Sequence, residues 1–281
     1  MNKTLYISDL DGTLLNSKSV VAPATSALLN RMIAERGILF SVATARTPAT
    51  VVNLLSEVKS PLPFIVMTGA AMWKQGEVLV NRHYMQAERL DFLLECCREN
   101  GIRPFIYTYN EQERRIDAYH SPEMSQYERD FAAVRTGSPF KQFIFTNHIP
   151  DEARQRAMLL FAAENFDSMG AAYRKAHDQL PCSMTYYRDI FDPSVGFLEV
   201  MAEGVSKAAA VEQLAAQSGA NRIVVFGDSP NDLSMREVAD LFVAPENASE
   251  QVIAVADEVI GSNDANSVAL RIARDLPSFT F

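Results

Sequence analysis

The sequence predicts an α/β protein: a parallel sheet with helices on both faces, with a separate α+β module inserted into the middle of the chain. Three observations carry this. Short apolar, β-prone runs alternate with helical stretches at both ends of the chain. Each of those runs is followed at once by polar residues suited to chemistry. The middle, 83–196, is richer in aromatic residues and alternating strands than either flank.

The first run, 4–8, is short and apolar and stops at Asp9-Leu10-Asp11-Gly12-Thr13. A helix over 24–35 follows, with Leu28, Leu29, Met32 and Ile33 on one stripe. Gly37 ends it, in the manner of a helix C-terminal glycine. Residues 38–43 read as a buried strand. Thr47 as N-cap and Pro48 at the first helical position open a helix over 47–58, and 64–67 form a third strand. In the middle, strands are expected at 105–109, 142–145 and 183–187, with helices at 88–99, 123–133 and 151–165. The alternation then resumes. Ser206 caps a helix to 216, with Gly219 beyond it; 223–226 is a strand, and Ser229-Pro230 opens another helix. Strands at 241–243 and 258–260 flank an Ala- and Val-rich helix, and a last helix spans 267–275. The core is therefore discontinuous, 1–82 with 197–281, and 83–196 is the insertion.

Bulk properties narrow the function classes. A chain of 281 residues suits two domains, or one core with a large insertion. The net charge of -9 argues against the basic surface of a general nucleic-acid binder, so no nucleic-acid partner is expected. It does not exclude a phosphorylated small molecule, since a metal held by acidic side chains binds anions in turn. Cys96, Cys97 and Cys182 form neither a C-x-x-C pair nor a zinc spacing and read as reduced thiols. The N-terminal residues reach Asp9 before a secretory hydrophobic region could form, and no run of about 18 apolar residues suggests a membrane span. No membrane partner is expected, and the cytoplasm is the expected location.

Ligands of an open parallel α/β sheet bind beyond the carboxyl ends of its strands. Asp9 and Asp11 follow the first strand, Thr44 and Arg46 the second, Thr68 and Gly69 the third. Asp228, Asn231 and Asp232 follow 223–226, and Ser262, Asn263 and Asp264 follow the last strand. All are expected to converge. Asp9 and Asp11 repel one another unless a cation or a shared proton intervenes; with Asp228 they make an oxygen-rich set that suits Mg²⁺. The plainer alternative makes Asp11-Gly12 a turn and Asp9 a cap. Ser229, Pro230 and Asp232 form a helix start by themselves, which leaves Asp228 unexplained and Asp232 open between cap and ligand. Lys207 stands in the first turn of a helix, where the macrodipole disfavours a cation; taken alone it reads as a solvated lysine, and read with the aspartates it is expected to face an anion. Thr44 has a hydroxyl for a phosphate; Arg46 serves that purpose or the surface equally well. His83, His120, His148 and His177 have no metal spacing, and Trp73 reads as packing.

Together these residues resemble the haloacid dehalogenase superfamily, specifically its Cof-type sugar-phosphatase branch. The resemblance rests on four signatures in order: Asp9-Leu10-Asp11-Gly12-Thr13; Ala43-Thr44-Ala45-Arg46; Gly204-Val205-Ser206-Lys207; and Gly227-Asp228-Ser229-Pro230-Asn231-Asp232. It implies a Rossmann-like core with an inserted type 2 cap and a Mg²⁺-dependent phosphatase acting on small phosphorylated metabolites. Asp9 would be the nucleophile, forming an aspartyl-phosphate, and Asp11 the general acid and base. Asp9, the backbone carbonyl of Asp11 and Asp228 would hold Mg²⁺, while Thr44, Lys207 and Asn231 would hold the phosphoryl oxygens. Ala45, Thr68, Ala208 and Ser267 depart from the common pattern without removing a catalytic group. A phosphosugar mutase shares the chemistry up to the intermediate, and a non-catalytic phosphometabolite-binding protein shares the fold. Cap residues around 107–119 and 186–191 are candidates for the leaving-group side. Physiological substrate and oligomeric state are not encoded legibly.

Overall fold

The computed structural model describes residues 3–75, 79–188, 192–276 and 279. In chain order its elements begin β1 (Thr4–Ser8), α1 (Pro23–Arg36), β2 (Leu39–Val42), α2 (Pro48–Leu54), β3 (Phe64–Val66), β4 (Ala71–Trp73) and β5 (Leu79–Val80). Next come α3 (Ala87–Glu99), β6 (Phe105–Asn110), β7 (Arg115–His120), α4 (Gln126–Ala133), β8 (Lys141–Phe145) and α5 (Asp151–Arg154). They are followed by β9 (Ala157–Asn165), α6 (Phe166–His177), β10 (Ser183–Arg188) and β11 (Val195–Met201). The last group is α7 (Lys207–Ser218), β12 (Arg222–Phe226), α8 (Leu233–Arg236), β13 (Leu241–Pro245), α9 (Glu250–Ile253), β14 (Glu258–Ile260) and α10 (Ser267–Arg274).

Two compact units result, Met1–Val80 with Ser206–Phe281, and Asn81–Val205. The second junction lies beyond the expected 196/197 because β11 pairs along its length with β9 and β10, which draws 197–201 into the second unit.

The first unit is built on a five-stranded sheet, β14-β13-β12-β1-β2, in which every pair is parallel. Strand β1, between β12 and β2, is buried on both faces, which is why it reads as an unbroken apolar run rather than an alternating one. The register sets Ser8 opposite both Phe226 and Val42, so β1, β12 and β2 end level with one another. The polar residues after these three strands thus leave the sheet along one edge. The expected third core strand departs from this pattern. A single parallel bridge, Ala43 to Ile65, ties it to the segment after β2, while β3 pairs antiparallel with β4 in a separate three-stranded sheet.

The second unit is a six-stranded sheet, β10-β11-β9-β6-β7-β8, antiparallel except between β7 and β8. One face packs against α3 and α6 through Leu90, Leu93, Met169 and Ala172 over Ile106, Leu160 and Leu198. Alternation along the strands puts Phe105, Tyr107, Phe143, Phe161 and Phe197 on the other face. There α4 lies on part of it, with Phe131 stacked on Phe161 at 4.9 Å. Residues 151–165, expected as a helix, are the short α5 and then β9, a nine-residue strand between β6 and β11. Its Ala-Met-Leu-Leu-Phe-Ala-Ala run is buried without a break, so it has no polar alternation, and its Ala, Leu and Met favour a helix locally. Cys96 and Cys97 are buried thiols, and Cys182 is half-buried. No helix among the described residues is long and apolar enough to cross a membrane.

Candidate active site

The site starts where β1 stops. The amide of Asp9 donates to the carbonyl of Phe226 at 2.9 Å, so the residue is still held at the level of the β12 end. A tight turn over 10–14 follows, in which Gly12 has φ +74°, and a Cβ there would lie 2.4 Å from Asp228 Oδ2. Glycine is required both for the backbone and for this approach. The turn presents Thr13, whose hydroxyl donates to Asp228 Oδ1 at 2.9 Å, and Asn247 Nδ2 donates to the Gly12 carbonyl at 2.8 Å.

After β12 the chain reaches Asp228 through a loop closed by Asp232. Asp232 Oδ2 accepts from the amides of Asp228 at 3.0 Å and Ser229 at 3.1 Å. Its Oδ1 accepts from Lys207 Nζ at 2.7 Å, and the same amine lies 2.6 Å from Asp9 Oδ1. Lys207 is 1% exposed, at the start of α7, where Ser206 Oγ accepts from the Ala209 amide at 3.0 Å as cap. The loop after β3 presses against this helix start: a Cβ on Gly69 would lie 2.3 Å from the Ser206 carbonyl oxygen. Asp232 therefore closes the loop, as the capping reading expects, and is also the partner of Lys207, a role that neither sequence reading names.

Asp9, Asp228 and Asp232 each bring one carboxylate oxygen within 4.8 Å of the others. Both oxygens of Asp232 are already committed, which leaves Asp9 and Asp228 as the more available donors. Asp11 stands differently. Its two oxygens accept from Arg46 Nε at 2.7 Å and Nη2 at 2.6 Å, and the pair is partly exposed. Thr44 is buried at the end of β2, its amide on the Ile65 carbonyl and its Oγ1 accepting from the Arg46 amide at 3.1 Å. Its hydroxyl hydrogen is thereby left to donate elsewhere. Asn231 Oδ1 accepts from Ser229 Oγ at 2.8 Å and is 3.5 Å from Lys207 Nζ.

Not every strand-end group joins this cluster. Asn263 Nδ2 donates to the Leu15 carbonyl and Asp264 Oδ1 accepts from the Ser17 amide, both at 2.8 Å, so these residues brace the chain after the turn. Thr68 uses its amide on the Thr44 carbonyl and has φ +57°, a strained backbone for a β-branched residue. Thr13 and Asn247 were not singled out by sequence. Thr13 was legible inside the first signature as a hydroxyl beside two carboxylates, whereas nothing in the sequence marks Asn247. Of 186–191, positions 189–191 lie outside the described residues.

Charge decides what the cluster can hold. Burial lifts the Asp9 carboxyl to about 7, with Lys207 pulling down and Asp232 and Asp228 adding to the rise. Burial likewise lifts Asp228 to about 6, against the Thr13 hydrogen bond and with help from Asp232. For Lys207 burial acts downward, but Asp9 and Asp232 carry it above the ordinary lysine value. The Arg46 guanidinium is raised by its hydrogen bond to Asp11. One ammonium thus serves three carboxylates. The all-oxygen donors and the shortage of positive charge fit a hard divalent cation such as Mg²⁺.

A sequence model described as haloacid dehalogenase-like hydrolase matches residues 6–272. Among relatives, the chain is 27% identical to the 5-amino-6-(5-phospho-D-ribitylamino)uracil phosphatase YwtE of Bacillus subtilis (strain 168), over 93% of this chain and 94% of that one. It is 24% identical to the pyridoxal phosphate phosphatase YbhA of Escherichia coli (strain K12), over 96% and 97% of the two chains. Among solved structures, a haloacid dehalogenase-like hydrolase from Bacteroides thetaiotaomicron superposes with a TM-score of 0.76 at 25% identity, covering 98% of this chain and 100% of that one.

Proposed function

Because the chain belongs to the haloacid dehalogenase-like hydrolase family, matched over residues 6–272, we propose that it is a Mg²⁺-dependent phosphatase of small phosphorylated metabolites. The observation that carries this is the meeting of Asp9, Asp228 and Asp232 around the buried amine of Lys207, from stretches 198 residues apart. The names of its relatives support a phosphate ester as substrate, and two of them act on compounds with a planar nitrogen ring.

Asp9 attacks phosphorus through its carboxylate; a new P–O bond forms to Asp9 as the bond to the leaving oxygen breaks. The leaving oxygen takes a proton from Asp11. Water then attacks the aspartyl-phosphate, gives its proton to Asp11, and releases inorganic phosphate and the free Asp9 carboxylate. Asp9, Asp228 and the Asp11 carbonyl would hold Mg²⁺, which offsets repulsion between the Asp9 carboxylate and the phosphoryl oxygens. Lys207 fixes the Asp9 side chain and, with the Thr44 hydroxyl and Asn231, meets the phosphoryl oxygens, so that positioning supplies much of the rate. Asp232 keeps Lys207 in place. Since Arg46 occupies both oxygens of Asp11, proton delivery requires that pair to part.

The deciding experiment is phosphate release from p-nitrophenyl phosphate with Mg²⁺ and with EDTA, for the native chain and for Asp9→Asn. Turnover is expected only in the native chain with Mg²⁺. Near-native activity of Asp9→Asn under excess Mg²⁺ would falsify the assignment of the nucleophile.

A further inference from the structure

Among the described residues of the second unit, one buried cation has no carboxylate to neutralise it. Lys141, at the start of β8, is 6% exposed. Among the described residues its amine has neither a carboxylate at ion-pair distance nor a hydrogen bond. Its contacts are ring faces, Phe143 at 4.9 Å and Tyr107 at 6.0 Å. Buried charges are ordinarily paired, and the buried lysine of the first unit is, with two carboxylates inside 2.7 Å. Glu199, an acid on the same sheet face, accepts from the Tyr187 hydroxyl at 3.1 Å instead. Phe143, directly beside it, is only partly buried.

We infer that this aromatic face of the second unit is a binding site for a planar organic anion, a ring carrying a carboxylate or a negatively charged ring oxygen, with Lys141 as its countercharge. Rings supply flat apolar area, and one ammonium supplies the polar contact that fixes orientation. Burial, with Arg135 nearby, lowers the Lys141 amine to about 8; an arriving anion would relieve both influences.

The test is isothermal titration of the full chain with 3-hydroxybenzoate, using cyclohexanecarboxylate as the non-planar control. The native chain is expected to prefer 3-hydroxybenzoate. Lys141→Met should weaken that binding about tenfold or more, and Lys141→Arg should retain most of it. Asp9→Asn should bind like the native chain, so a failure of the phosphatase reading leaves this result untouched. Absence of binding in the native chain, or equal binding by the native chain and Lys141→Met, overturns the inference.

Discussion

Replacing the proposed nucleophile should stabilise the protein. Asp9 is buried among Asp228 and Asp232, and its carboxyl rises from an ordinary 3.8 to about 7. A folded-state value above the unfolded one means that the folded chain binds more protons across that window. Stability is then fully present below about pH 4 and is lost as pH rises through about 7. At about 1.36 kcal/mol per pH unit the loss is about 4 kcal/mol. An amide in place of the carboxylate carries no charge and still offers Lys207 an acceptor oxygen, so Asp9→Asn escapes this loss. The variant should match the native chain near pH 4 and exceed it by up to about 4 kcal/mol near pH 8, without metal. Urea unfolding in EDTA measures this, and the single tryptophan, Trp73, is buried in the first unit, so its fluorescence reports that unit. A variant no more stable than the native chain near pH 8, or an advantage that does not change with pH, would refute the reasoning.

Three further outcomes are expected. Mg²⁺ should raise the native unfolding midpoint strongly near pH 8 and much less near pH 5, where protons on Asp9 (about 7) and Asp228 (about 6) compete with it; thermal scans with and without Mg²⁺ check this. Lys207→Met leaves Asp9 and Asp232 facing one another without a cation, and should cost about 3–5 kcal/mol in the same urea assay above neutral pH; its turnover, read as phosphate release, should fall by about a hundredfold or more. Gly12→Ala combines a left-handed backbone with a Cβ 2.4 Å from Asp228 Oδ2, and should destabilise by about 1–3 kcal/mol while shifting the Mg²⁺ dependence of activity to higher concentration.

Much of the first unit was legible because its chemistry sits at strand ends. A buried parallel strand is an apolar run, and polar residues after it mark the edge where the site forms. Lys207 is legible only in company: alone, a lysine in a helix first turn reads as solvated, and the strand-end aspartates point it towards an anion; Asp9 and Asp232 receive it. Tertiary partners were not legible. The pairing of Asp232 with Lys207 is not legible, because the two residues meet from separate elements 25 residues apart. Nor did the sequence show that Arg46 would take both oxygens of Asp11, or that Asn247 would bind the Gly12 carbonyl. In the second unit β9 is not legible as a strand, because burial on both faces erases the alternation by which a strand is recognised. Nor are β7 and β11, whose places in the sheet are set by pairing with other strands.

The position of β1 between β2 and β12 has a consequence for biosynthesis. One neighbour, β2, emerges soon after it, but the other, β12, is made only after the whole of the second unit. Thr13 waits for Asp228 across 215 residues, which at about 5–20 residues per second is roughly 10–40 s on the ribosome. Through that interval an apolar strand edge of the nascent chain lacks its mate, and such edges recruit other chains. The period of greatest aggregation risk, and of greatest need for a chaperone, therefore closes only when residues 222–226 leave the exit tunnel.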